Sequence, residues 1–181
     1  MILTFFCITF SNNFILAQEK EEKENSDTDK IYRPFQFSLW KDIQLFKEES
    51  SITAFRLNTV YGYNKSGSGI DIGGYGRYTE NFSGWQMNLF NVTDREMKGI
   101  QTGIYNSAGT SKSVQVGVIN TAKSSVGWQI GIINHAEEIN GFQIGLLYNT
   151  VENLKGLQIG LINLNWSEKH ITCMPIINFV F

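Results

Sequence analysis

The feature that most limits what this chain can become is a glutamine that returns at a fixed interval. Gln86, Gln101, Gln115, Gln129, Gln143 and Gln158 stand 15, 14, 14, 14 and 15 positions apart. Around each lies one unit, Gly-x-Gln-x-Gly-x-x-Asn, clearest as Gly99-Ile-Gln-Thr-Gly-Ile-Tyr-Asn106, Ser113-Val-Gln-Val-Gly-Val-Ile-Asn120, Gly127-Trp-Gln-Ile-Gly-Ile-Ile-Asn134, Gly141-Phe-Gln-Ile-Gly-Leu-Leu-Tyr148 and Gly156-Leu-Gln-Ile-Gly-Leu-Ile-Asn163. Gly103, Gly117, Gly131, Gly145 and Gly160 hold the second glycine position of these copies. A unit this short cannot bury a core alone and must take its stability from its neighbours. The one-residue wobble in spacing places the length adjustment in turns.

Inside each unit the side chains alternate: Trp128, Ile130 and Ile132 on one side, Gln129 and Gly131 on the other. That period of two is the signature of a strand and excludes helix for most of the chain. Weaker copies run upstream in the same frame. Gly84-Trp-Gln-Met-Asn-Leu-Phe-Asn91 has Asn88 for the second glycine, Gly69-Ile-Asp-Ile-Gly73 has Asp71 for the glutamine, and Ala54-Phe-Arg-Leu-Asn58 has Arg56 there. Pro34-Phe-Gln-Phe-Ser-Leu-Trp40 is a first copy, and Pro175-Ile-Ile-Asn-Phe-Val-Phe181 has strand composition without the motif, giving roughly ten strands. Asn140-Gly141 and its counterparts between units read as tight hairpin turns, since both residue types accept positive φ.

Two all-β architectures fit. An antiparallel meander of about ten strands closing as a β-barrel would turn the Trp/Ile/Ile side to lipid and the Gln/Gly side inward; its segments are long enough to cross a bilayer as tilted strands. A parallel β-solenoid would make each unit one coil, with apolar side chains inward and asparagine stacked at the corners. Volume favours the barrel, because Trp128, Ile130, Ile132, Ala136 and Ile139, four of them large, would crowd a coil whose cross-section holds ~5 inward side chains at close packing. The aromatic content of 13% would supply interfacial girdles. Alternation of Ile177 and Phe179 up to the terminal Phe181 resembles the last strand recognised by outer-membrane insertion machinery. On the other side, the repeat is a single strand where barrels duplicate by hairpin. Phe82, Met97, Ile139 and Leu154 also break strict alternation just before the turns unless bulges intervene.

The organisation expected is a signal peptide over 1–17, a charged flexible leader over 18–33 and one β-repeat domain over 34–181. Met1 to Ala17 is an apolar run ended abruptly by Gln18-Glu19-Lys20, with cleavage expected after Ala17. It is too short and too interrupted to span a membrane. No Lys or Arg precedes the run, which points to translation starting a few codons upstream. Gln18 to Lys30 is almost wholly charged or polar and buries too little to offset the entropy of ordering. Cys7, behind the bulky Phe6, does not fit a lipidation site and leaves with the signal peptide, so Cys173 remains as a small buried hydrophobe with no disulfide partner.

The repeats resemble a family of surface repeat-containing proteins of spirochaetes and other double-membraned bacteria. The likeness rests on the Pro34-Phe-Gln-Phe-Ser-Leu opening, the Phe55-Arg-Leu-Asn58 segment with Tyr61-Gly62, the Gly-Leu-Gln-Ile-Gly-Leu-Ile-Asn units and the Pro175-Ile-Ile-Asn178-Phe179 finish. It implies export and an outer-membrane or surface address, and brings no activity, cofactor or site residues. Asn88, Asp71 and Arg56 depart from its repeat.

No catalytic, cofactor or metal site is legible. His135 and His170 have no metal-ligand spacing, no Gly-x-Ser-x-Gly elbow appears, and the glycines from Gly67 to Gly76 do not form a dinucleotide fingerprint. A net charge of −2 offers no basic field for nucleic acid. The sequons at Asn91 and Asn165 carry little weight in a bacterial repeat. The residues with a defined role are therefore structural: the six glutamines and five glycines above, with the glutamine row lining a polar interior that Ile133, Leu147 and Tyr105 help to plug or, less simply, a small passive pore. The function expected is a non-enzymatic outer-membrane or surface protein with a structural or interaction role, in contact with outer-membrane lipid and with a host or envelope partner. The alternative is a surface-displayed or periplasmic solenoid that binds a ligand.

Overall fold

Strands built from these alternating units stack in parallel, one coil above the next. The computed structural model describes residues 32–40, 43–167 and 170–180, without the side chains of Ser167 and His170; the expected signal peptide, Cys7, most of the leader and Phe181 lie outside the described residues. The described residues belong to one compact unit, Ile31–Phe181. Its strands are β1 (Tyr32–Trp40), β2 (Ile43–Gln44), β3 (Ser51–Asn64), β4 (Gly67–Tyr78), β5 (Phe82–Ser125), β6 (Trp128–Ser167) and β7 (His170–Val180), in the sheet order β2-β1-β3-β4-β5-β6-β7. β5 and β6 run for 44 and 40 residues because each winds through several coils without leaving the extended state. β1 begins at Tyr32, just ahead of the Pro34 boundary read from the sequence.

The register is that of a solenoid. Ile70, Asp71 and Ile72 of β4 lie beside Trp85, Gln86 and Met87 of β5, and Gln115 and Asn120 of β5 lie beside Gln129 and Asn134 of β6, all parallel. Main-chain rungs join residues one coil apart: Gly67 N–H donates to Asn81 O at 2.9 Å, Val126 N–H to Ser111 O at 2.7 Å and Phe142 N–H to Gly127 O at 3.0 Å. The expected antiparallel barrel is therefore corrected to the parallel β-solenoid. With it go the hairpin turns between units, which are coil corners, and the pore reading, which needed a barrel lumen. Gly141 at such a corner has φ 157°, and a Cβ there would strike the Gly127 carbonyl of the coil below.

The orientation of the side chains is the part of the barrel reading that holds: glutamine and glycine face inward, the apolar side outward. The solenoid expected from the sequence had the faces reversed, and no crowding arises because Trp128, Ile130 and Ile132 lie outside the coil. A coil encloses Gln129, Asn134, Ala136 and Ile139 as fully buried side chains, with Gly131 between them and Trp128 outside at 47% exposure. Ile133, Leu147 and Tyr105 lie outside the interior, not plugging it. The residues that seemed to demand bulges, Phe82, Met97, Ile139 and Leu154, are the buried apolar ones. They form two clusters, Tyr78, Phe82, Met97 and Ala108 towards one end, and Ala136, Ile139, Val151 and Leu154 towards the other. In between, the same column holds the buried Ser111 and Ser125.

Both ends of the stack are antiparallel. β7 pairs antiparallel with the last coil of β6, from Gly156 opposite Val180 to Ser167 opposite His170, so the terminal alternation belongs to a closing strand. At the other end β2 pairs antiparallel with β1, and Leu45 N–H donates to Phe37 O at 2.9 Å. Covering the end strands in this way limits the open hydrogen-bonding edge that stacked sheets otherwise present.

Candidate functional site

The interior is a polar core organised as two amide ladders. Repeating a glutamine at the coil period brings its copies side by side, which lets each primary amide bond to the next along the stack. Gln101 Nε2 donates to Gln86 Oε1 at 2.8 Å, Gln115 to Gln101 at 2.8 Å, Gln129 to Gln115 at 2.8 Å, Gln143 to Gln129 at 2.7 Å and Gln158 to Gln143 at 2.7 Å. Every donor points towards the N-terminal end. Asn178 of β7 closes the other end by donating to Gln158 Oε1 at 2.8 Å.

The second ladder runs the opposite way. Asn91 Nδ2 donates to Asn106 Oδ1 at 2.8 Å, Asn106 to Asn120 at 2.8 Å, Asn120 to Asn134 at 2.8 Å, Asn134 to Asn149 at 2.9 Å and Asn149 to Asn163 at 2.7 Å. The second proton of each amide is spent on main chain, as from Asn120 to Ile130 O at 2.9 Å. With opposed directions the aligned amide dipoles of the two rows offset each other, while each row gains from hydrogen bonds that polarise one another. The regular recurrence of the second glycine now has a cause: a Cβ at Gly117 would sit 2.5 Å from Gly103 O and 2.6 Å from Asn106 Nδ2. Gly103, Gly131 and Gly160 meet the same combination of a carbonyl oxygen and an asparagine amide, and Gly145 meets Asn149.

The three departures from the repeat meet at the start of these ladders. Arg56 and Asp71, both fully buried, form a two-pronged ion pair through Nε at 2.7 Å and Nη2 at 2.6 Å. Asp71 also accepts from Asn58 at 2.8 Å, Asn88 at 2.9 Å and Gln86 at 3.4 Å, so the glutamine ladder ends on a carboxylate. Asn88 in turn donates to Asn91 Oδ1 at 2.8 Å and starts the asparagine ladder. Arg56 stacks over the Tyr78 ring at 4.1 Å and donates from Nη1 to Asn64 Oδ1 at 3.1 Å. Burial works against the charged guanidinium, but the charge and hydrogen bonds of Asp71, aided by Tyr78, outweigh it and leave the Arg56 pKa raised. Burial likewise pushes the Tyr78 hydroxyl well above its ordinary value, with Arg56 opposing. Space for the guanidinium comes from Gly76, where a Cβ would lie 2.7 Å from Arg56 Nη2. Further out, Gln36 makes a bidentate pair with the main chain of Phe46, donating to its carbonyl and accepting from its N–H, both at 3.0 Å.

Outside, the two walls of a coil differ. The wall carrying the Gln-x-Gly strands presents Phe35 and Phe37, Phe55 and Leu57, Ile70, Trp85 and Leu89, Ile100 and Ile104, Val116 and Val118, Trp128, Phe142 and Leu146, Ile159 and Leu161, then Ile177 and Phe179, all exposed. The positions flanking each inward glutamine and glycine on this wall carry no charge in any coil. The other wall bears the ions, including Arg77 paired with Asp94 at 2.8 Å and Lys112 with Glu96 at 2.7 Å. The hydrogen bonds from Lys112 and then Lys98 hold the Glu96 carboxyl below its ordinary range. A shallow groove of about 430 Å³ on the ion-bearing wall is lined by Asp94, Lys123, His135 and Glu137 over small residues such as Ala108, Gly109 and Ala122.

Of the residues singled out from the sequence, the six glutamines and five glycines all fall in the interior columns and none reaches a surface site. The asparagine ladder matches the stacked asparagines of the solenoid alternative, whereas the Arg56–Asp71 junction was missed as a unit, although Arg56 and Asp71 standing 15 apart in one frame was the available signal. Asn91 of one sequon is buried in the ladder. Cys173 is exposed on β7, contrary to the buried position expected for it, because the closing strand has only one covered neighbour. Among the described residues no group of three or more His, Cys, Asp or Glu side chains comes together, and no helix is long and apolar enough to cross a membrane. No family model matches the chain, and neither a curated protein nor a solved structure does.

Proposed function

We propose that the chain is an exported, non-enzymatic protein of the bacterial envelope or cell surface, and that its role is interaction through the apolar outer wall of the solenoid. One observation carries this reading: the uncharged wall extends over the whole stack, with side chains as large as Trp128 and Leu146 exposed at 47% and 71%. A patch of that extent stands at the top of the range of apolar patches on ordinary monomers, where such patches are often functional. The apolar run Met1 to Ala17 and the likeness to surface repeat proteins support the envelope address. Outer-membrane lipid, an envelope or host protein and a further copy of the chain are the occupants that such a wall could meet.

Cell fractionation with N-terminal sequencing tests the address. The expected product begins at Gln18 and is found in the envelope or outside the cell. Recovery of the chain in the cytosol with Met1 to Ala17 still attached would refute it.

A further inference from the structure

We infer that the apolar wall is covered by the same wall of a second copy, making a face-to-face dimer of solenoids; this rests on the apolar wall being the working surface. The first ground is area. About ten neighbouring strands spaced ~4.8 Å apart, each contributing five residues at ~3.3 Å, give a face of roughly 40 by 15 Å. Two such faces pressed together remove on the order of 1,200–1,400 Å² from water, within the range of stable interfaces.

The second ground is what the face is made of. An isologous contact sets the patch against a copy of itself, so a charge near the two-fold axis would meet its like and one elsewhere would need an opposite charge at the matching position. The positions flanking Gln115, Gln129 and Gln143 are Val114, Val116, Trp128, Ile130, Phe142 and Ile144, and the face is uncharged throughout. Because the coils are in register, the same positions line up into ridges at the strand spacing, and equal ridges interdigitate as the inner faces of two packed sheets do.

The third ground concerns the rival occupant, a lipid surface. Apolar faces that lie on membranes are bordered by free Lys and Arg that meet anionic headgroups. Lys98 and Lys112, at the start of the rows of Ile100 and Val114, are instead both held by Glu96, at 2.6 and 2.7 Å. The same position carries the exposed Lys155 ahead of Leu157, but Ser68, Ser83, Val126 and Asn140 in other coils, a sparse border for an anionic surface.

The test is the mass of the protein purified without detergent, by light scattering on a sizing column, with the strand content of every variant checked by circular dichroism. Twice the chain mass is expected for the wild type. Val116→Arg, on an outward position that touches none of the interior, halves the mass; Glu152→Lys on the other wall leaves it doubled. Dilution of the wild type is also expected to raise the accessibility of Trp85 and Trp128 to a soluble quencher, which tests the face without any substitution. A monomeric wild type overturns the dimer, and so does a Val116→Arg variant that stays dimeric. A chain soluble only in detergent, or one that floats as a monomer with phosphatidylcholine–phosphatidylglycerol vesicles, overturns it in favour of lipid. The envelope reading fails separately, by the location and N-terminus of the cellular protein.

Discussion

The coils from Gln101 to Gln158 and the coils holding Arg56 and Asp71 solve one problem in two ways. Both must fill a narrow, mostly polar interior. In the former, identical amides stack, and each coil satisfies its neighbour. In the latter, ladders have to begin, and the first amide has nothing like itself to bond. A carboxylate takes the terminal glutamine proton, an arginine balances its charge, and Asn58, Asn88 and Gly76 are fitted around the pair. Repetition makes the middle tolerant and the end specialised. The same contrast says where damage spreads: a lesion in the middle strands two amides, whereas one at the start strands a buried charge.

Removing the charge balance should have the largest effect. Asp71→Asn leaves the Arg56 guanidinium buried without a counter-ion, and chemical denaturation should register a loss of about 3–5 kcal/mol. Replacing both, Arg56→Gln with Asp71→Gln, restores the repeat residue at each position and should recover most of that loss. A double variant no more stable than Asp71→Asn would show that the start of the stack depends on more than charge.

An interruption of the middle ladder comes next. Gln129→Leu deprives Gln143 Nε2 of its acceptor and Gln115 Oε1 of its donor. A cost of about 2–3 kcal/mol is expected for two stranded buried groups, and a loss under half a kcal/mol would mean that the ladder contributes little.

Alkali should separate the two regions without mutation. Tyr78 is held neutral by burial, so its folded pKa lies above its unfolded value of 10.0. The associated stability is complete below that pH and is lost as pH rises through the folded pKa, because the unfolded chain gives up the proton first. The slope is at most about 1.4 kcal/mol per pH unit. Hydrogen exchange above pH 10 should quicken in β3 and β4 before β6, and Tyr78→Phe should abolish the difference. Uniform quickening would deny Tyr78 that role.

The smallest effect is expected at the opposite end. Ile176, two-thirds exposed, has φ 69° where the register with Gly160 shifts. A β-branched residue is strained in that region, and asparagine accepts it. Ile176→Asn should raise the melting free energy by roughly 0.5–1 kcal/mol; a lower value would show that the exposed side chain makes contacts worth keeping.

The repeat, its period, the all-β class and the inward placement of glutamine and glycine were legible in the sequence. Which way neighbouring strands run was not, since alternation of Trp128, Gln129 and Ile130 is the same in a meander and a coil. The pointers were present in Phe82, Met97, Ile139 and Leu154, whose place ahead of each corner breaks alternation because they turn into the coil. Volume misled because a packed coil was assumed to hide its largest side chains, whereas Gly117 and Asn106 leave room for nothing of the kind. Arg56 and Asp71 were visible as exceptions, but the reason for them exists only once the two coils lie side by side.

The central claim is that neighbouring units run parallel and in register, and two pairs of spin labels test it. Val116 with Ile130, and Thr121 with His135, are partners in the coil. Strong dipolar broadening is expected for both pairs, as neighbouring strands lie ~4.8 Å apart. An antiparallel meander turning near Ser125 would separate them by some 13 and 20 Å along the strands, at ~3.3 Å per residue, and weak coupling in either pair would contradict the account.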